Sequence, residues 1–69
     1  MNRTYKLIEL VGVSETSFAD AAQNAVEEAA RTVRGLGWFE VTEMRGKIAD
    51  GRVAEFQTKV KVGFRLLRD

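Results

Sequence analysis

The chain has 69 residues, with eleven Lys and Arg against ten Asp and Glu and a net charge of +1. That length means one small domain near the lower limit for independent folding, where the usual supplements to a modest core are disulfides, a structural metal or oligomerisation. With no cysteine and no histidine, disulfides and the common zinc and redox chemistries lose their ligands, so oligomerisation is the supplement left. The balanced charge also lacks the basic footprint of a general nucleic-acid binder. No apolar run is long enough for a membrane span and the N-terminus lacks a signal-peptide core, so a cytoplasmic protein with no membrane partner is expected.

Tyr5 to Gly12, Tyr-Lys-Leu-Ile-Glu-Leu-Val-Gly, is rich in β-branched and aromatic residues and short enough to be a first strand. Gly12 to Ser17 breaks the pattern. Ser17, followed three residues later by Asp20, reads as a helix N-cap whose hydroxyl satisfies an orphan backbone N–H. Phe18, Ala21, Ala22, Ala25, Val26, Ala29 and Val33 then recur at the helical period, with Asp20, Gln23, Asn24, Glu27, Glu28 and Arg31 on the remaining arc. The apolar stripe is mostly alanine, which allows close approach to a sheet but limits the area a monomer can bury, at roughly 25 cal/mol per Å². Glu27 and Arg31 are spaced as an i,i+4 pair, Arg31 and Arg34 complement the end of the helix dipole, and Gly35 is expected as its C′ residue.

Leu36 to Ile48 reads as a second strand, Ala49-Asp50-Gly51-Arg52 as a hairpin turn, and Val53 to Leu66 as a third strand. If Asp50 and Gly51 form the loop, Ala49 opposes Arg52 and the register runs down the ladder. Phe39 then faces Val62 and Val41 faces Val60, while on the other face Glu40 meets Lys61, Met44 meets Gln57 and Trp38 meets Gly63. Trp38, the single tryptophan, shares its face with Glu40 and Thr42, so the largest apolar side chain stands on the more polar side of its strand. A large aromatic there points to a partner beyond its own core. On the residues alone, a dry oligomer contact and ligand stacking are equal readings of it. In this register Arg45 lies on the face opposite Trp38, toward a neighbouring subunit or solvent, and Arg65 shares the Trp38 face. The order strand, helix, strand, strand implies an α+β fold. Its three-stranded antiparallel sheet has strand order 1-3-2 and is wrapped around one helix.

The opening strand motif, Ser14 and Ser17 before an alanine-rich helix, Leu36 and Trp38 followed by Glu40-Val41, Gly46, Phe56-Gln57, and Lys61-Val62-Gly63-Phe64-Arg65-Leu66 together resemble the dodecin family over almost the full length. The resemblance implies a β-α-β-β protomer assembled into a hollow homododecamer of 23 symmetry, with flavin (FMN, riboflavin or FAD) held at subunit interfaces. It implies that Trp38 stacks on the isoalloxazine ring, that Gln57 hydrogen-bonds its polar edge, and that Arg45 and Arg65 serve the ribityl or phosphate portion. Gly37 belongs to the same wall but is smaller than the residue usual before the tryptophan, and Phe56 stands for a more usual tyrosine or tryptophan, departures that loosen the pocket. The resemblance further implies a second nucleotide site, for coenzyme A, at Arg3, Lys6, Thr32 and Arg34, where strand one begins and the helix ends.

No serine or lysine pairs convincingly with a base, so no catalytic residue is assigned and an enzyme is not expected. The rival reading is a single-stranded nucleic-acid module that stacks bases on Trp38 beside Lys59, Lys61 and Arg65, weakened by the single tryptophan and the near-zero net charge.

Overall fold

Four elements follow one another in the computed structural model, which describes residues 3–66: β1 (Tyr5–Ser14), α1 (Phe18–Thr32), β2 (Leu36–Ala49) and β3 (Arg52–Arg65). β3 lies in the middle of an antiparallel sheet of order β1-β3-β2, as the sequence predicts. β1 continues two residues beyond its expected end, because Gly12 does not break the strand. It is the point where the helix comes down on the sheet. A Cβ built on Gly12 would stand 1.8 Å from the Ala21 carbonyl oxygen, so only glycine permits this approach.

The helix starts where the serines place it. The Ser17 hydroxyl accepts from the Asp20 backbone N–H at 2.9 Å. Buried Ser14 adds a second layer, donating to Asp20 Oδ2 at 2.8 Å and accepting from the Thr16 N–H at 2.9 Å. At the other end the cap is Val33 in an extended conformation, its N–H bonded to the Ala29 carbonyl. Gly35 is therefore not the expected C′ residue. It takes a left-handed φ of 78° in the turn into β2, and its carbonyl accepts from the Arg65 N–H at 3.0 Å. Arg31 pairs with Glu28 at 3.8 Å rather than with Glu27, which accepts from Gln23 instead. Both bonds are exposed and contribute little.

The core is small. Ala21, Ala22, Ala25 and Ala29 of the helix meet Val60 and Val62 of the central strand, with Ile8, Leu10 and Leu36 packed around them. Buried Thr58 donates to the Phe18 carbonyl at 2.9 Å, so its hydroxyl carries no desolvation debt. Fifteen helical residues span about 22 Å, whereas the fourteen of β2 span about 47 Å, so the hairpin outruns the helix. Ile48 and Val53 near its tip are 72% and 60% exposed, and Phe39, Val41 and Met44 stand open on the helix side of β2. A groove of about 430 Å³ between α1 and this strand is lined by Phe18, Val26, Phe39, Val41 and Met44 among others. A single protomer leaves this apolar surface uncovered.

The hairpin turn is as expected, with Asp50 and Gly51 both at positive φ (54° and 73°) and Ala49 across from Arg52. The register then shifts three times, the last at Gly37. Ala54 is an extra residue on β3 and Thr42 an extra residue on β2, so two bulges displace the pairing and then restore it. From Val41 to Trp38 the ladder again matches expectation, with Phe39 on Val62, Val41 on Val60, Glu40 on Lys61 and Trp38 on Gly63, before the irregularity at Gly37 sets Leu36 on Phe64 rather than Arg65. Between the bulges the faces are exchanged. Met44 lies across from Thr58, not Gln57, and Arg45 lies across from Gln57. The expectation that Arg45 faces away from Trp38 is thus overturned, because the extra residue at Thr42 inverts the alternation.

Candidate functional site

The sheet face turned away from the helix collects Trp38, Arg45, Gln57 and Arg65, together with Lys59 and Lys61. Along β3 the alternation places Glu55, Gln57, Lys59, Lys61, Gly63 and Arg65 on it. Pairing adds Tyr5, Leu7 and Glu9 from β1, and Trp38, Glu40, Glu43 and Arg45 from β2. The bulge at Thr42 is what brings Arg45 into this set.

Trp38 is 45% exposed and lies over Gly63. A Cβ at Gly63 would fall within 2.5 to 2.7 Å of three indole carbons, so the ring occupies the space that any other residue would fill. Tyr5 fixes it from the side, the two ring centroids 4.9 Å apart at an interplanar angle of 60°. Such an edge contact contributes about 0.5–1.5 kcal/mol beyond area burial. The sequence reading missed Tyr5 as a neighbour of Trp38. The signal was present in the pairing of β1 with β3, which sets Tyr5 across from Arg65 and Leu7 across from Gly63. Gly37 is an irregularity between the Leu36 and Trp38 pairs, and a Cβ there would make only ordinary contacts, 3.6 Å from Tyr5 and 3.7 Å from the Gly63 carbonyl. Its missing side chain leaves room beside the Tyr5–Trp38 pair. Phe56 does not belong to this wall. It stands on the helix side, edge-on to Phe18 at 4.9 Å.

Gln57 is engaged at both ends of its amide. Oε1 accepts from Arg45 Nε at 2.9 Å and Nε2 donates to Glu55 Oε1 at 2.9 Å, while Arg45 also holds Glu43 at 3.2 Å. Gly63, across from Trp38, and Gln57 are six residues apart on β3, which is about 20 Å at 3.4 Å per residue. Within one protomer, therefore, the indole and the amide cannot touch the same aromatic ring system. Arg65 is exposed, near the Trp38 end of the face.

Lys59 lies 3.9 Å from Glu9, and the register sets Glu43 across from Lys59 and Glu40 across from Lys61. Each lysine of the supposed base-stacking face is thus matched by a carboxylate, and the single-strand reading gains no support. Arg3, Lys6, Thr32 and Arg34 are all exposed. The bonds from Arg65 N–H to the Gly35 carbonyl and from Leu66 N–H to the Thr4 carbonyl, both 3.0 Å, bring their segments to the same end of the sheet. Among the described residues no hydrogen bond or ion pair joins any two of the four, and no group of three or more acidic side chains is placed to hold a metal ion. No helix of the described residues is long and apolar enough to cross a membrane.

The family model for dodecin matches residues 4–67. The chain belongs to the dodecin family. It is 48% identical over 66 residues to the dodecin of Thermus thermophilus, covering 96% of each chain. The solved dodecin of Streptomyces coelicolor superposes with a TM-score of 0.93 at 48% identity, over 99% of this chain and 97% of that one. Crystal structures of three variants of the Thermus thermophilus dodecin, R45A, R65A and W38F, superpose with TM-scores of 0.92, 0.93 and 0.92. Their identities are 45%, 44% and 45%, over 97%, 99% and 97% of this chain and 100% of each of those. The β-α-β-β topology and the sheet order are those of the family.

Proposed function

We propose that this protein sequesters flavin, taking FMN, riboflavin or the flavin part of FAD as a flat ligand on Trp38 at the interfaces of a cytoplasmic homododecamer. The observation that carries this reading is the indole itself, half-exposed on the sheet face, seated over Gly63 and braced by Tyr5. An indole offers a flat, electron-rich surface suited to an electron-poor tricyclic ring. Bound flavin would bring redox and photochemical reactivity to the site, and the chain's own residues act to restrain it. Trp38 covers one face of the ring and excludes water, and Gln57 meets its pyrimidine edge with a donor and an acceptor. Arg65 and Arg45 answer the ribityl or phosphate groups with charge-assisted bonds, and Gly37 leaves space at the wall. Three positions substituted in the Thermus relative carry the same residue types and numbers here, which supports their place in the site.

The separation of about 20 Å between the two ring contacts supports a site built from more than one subunit. Uncovered Phe39, Val41 and Met44 supply the apolar surface that assembly would bury. Titrating the apo-protein into riboflavin while following flavin fluorescence tests the reading: stoichiometric quenching is expected, and undiminished fluorescence at micromolar protein overturns it. Coenzyme A is proposed as a second ligand for Arg3, Lys6, Thr32 and Arg34 at the end of the sheet opposite the hairpin turn, where three exposed side chains carry positive charge. Equilibrium dialysis against coenzyme A is expected to show retention, and none would reject that part.

A further inference from the structure

The Gln57 amide is held in one orientation by chemistry that admits no flip. A guanidinium has only donors and an ionised carboxylate only acceptors, so Arg45 can bind only the oxygen and Glu55 only the nitrogen. Turning the amide over would set Nε2 against Arg45 and Oε1 against Glu55, exchanging two good bonds for two like-polarity contacts. Arg45 is in turn held by Glu43. Both bulges contribute to this arrangement. The shifted register between them sets Arg45 across from Gln57 and Lys47 across from Glu55, so a basic side chain faces each of the two residues on β3.

We propose that Glu55 is a positioning residue that, with Arg45, fixes which way Gln57 presents its remaining donor and acceptor, and so sets how strictly the site requires a flavin N3–H. This rests on the reading of Gln57 as the contact to the flavin edge. A primary amide has two N–H donors and two lone pairs, and the clamp uses one of each. One N–H and one lone pair are left, fixed in direction. That is the pair required by the pyrimidine edge, where an N3–H donor stands beside carbonyl acceptors. Without Glu55 the amide keeps its bond to Arg45 but loses the restraint on its nitrogen.

The test compares riboflavin with N3-methylriboflavin, which cannot donate from N3, by quenching titrations on wild type, Glu55→Ala, Glu55→Gln and Glu55→Leu, each verified by circular dichroism and gel filtration. Wild type is expected to prefer riboflavin roughly tenfold, the worth of one hydrogen bond. Glu55→Ala should reduce that preference to about twofold by the same arithmetic, with unchanged quenching at saturation because Trp38 is untouched. Glu55→Gln, whose side-chain oxygen can still accept from Gln57, should recover most of the preference, and Glu55→Leu, which keeps the bulk without an acceptor, should lose it and carries the test if the alanine variant does not assemble. A folded, assembled Glu55→Ala or Glu55→Leu protein that discriminates as well as wild type overturns the proposal. Wild type that quenches both flavins equally instead removes Gln57 from the flavin edge, and wild type that quenches neither removes Trp38 from the flavin face.

Discussion

Trp38 and Gly63 form one cross-strand pair in which the indole lies where the side chain of residue 63 would be. The glycine is needed for space. Because the ring is half-exposed, it can move without disturbing the core, and this sets apart substitutions that affect the ligand from those that affect the fold.

Trp38→Ala should remove flavin quenching while leaving the gel-filtration profile unchanged. Stacking on an aromatic is worth about 1–3 kcal/mol, so the dissociation constant should rise roughly 5- to 150-fold. Trp38→Phe should fall between the two proteins. Loss of the assembly in the alanine variant would instead identify Trp38 as a dry interface residue.

Gly63→Ala should displace the indole from the sheet without unfolding the chain. The added methyl meets the tryptophan ring, which is free to swing toward solvent. Affinity for riboflavin should fall at least as far as about tenfold, within the range of a lost stacking contact, with far-ultraviolet circular dichroism unchanged.

Gly12→Ala should act in the opposite way. Its methyl would collide with a backbone carbonyl of the helix, not with a mobile side chain, so α1 must lift off the sheet. Overpacking of this kind costs about 1–3 kcal/mol and at times more. Thermal melting should show a markedly lowered transition, or no folded protein at all.

Val41→Lys places a charge on the open apolar side of β2, which the protomer's own helix leaves uncovered. Gel filtration with light scattering should show species smaller than the wild-type assembly. An unaltered mass would mean that this surface is not buried between subunits.

The topology was legible because each strand and the helix carry their own period, and because Asp50-Gly51 names its turn type. Trp38 on Gly63 was legible for the same reason, since a hairpin register can be counted from its loop. The register between Thr42 and Ala54 was not. A bulge has no compositional signature, and two that cancel leave the pairing on either side of them correct. Charge complementarity was the available signal. Unshifted pairing sets Lys47 on Ala54, Glu43 on Thr58 and Arg45 on Phe56, whereas the observed pairing sets Lys47 on Glu55, Glu43 on Lys59 and Arg45 on Gln57. Gly12 was misread because a glycine in a strand was taken as a break, when its role is the approach of the helix. The alanine stripe had already indicated a short helix-to-sheet distance.

The central claim is that flavin is held on Trp38 inside an assembly and not by a lone protomer. Gel filtration of the protein incubated with riboflavin, monitored by protein absorbance, visible absorbance and flavin fluorescence together, tests it most directly. Visible absorbance is expected to co-elute with a species far larger than a protomer while flavin fluorescence in that peak is quenched. Flavin that elutes only in the free fraction, or that accompanies the assembly with its fluorescence intact, would contradict the account.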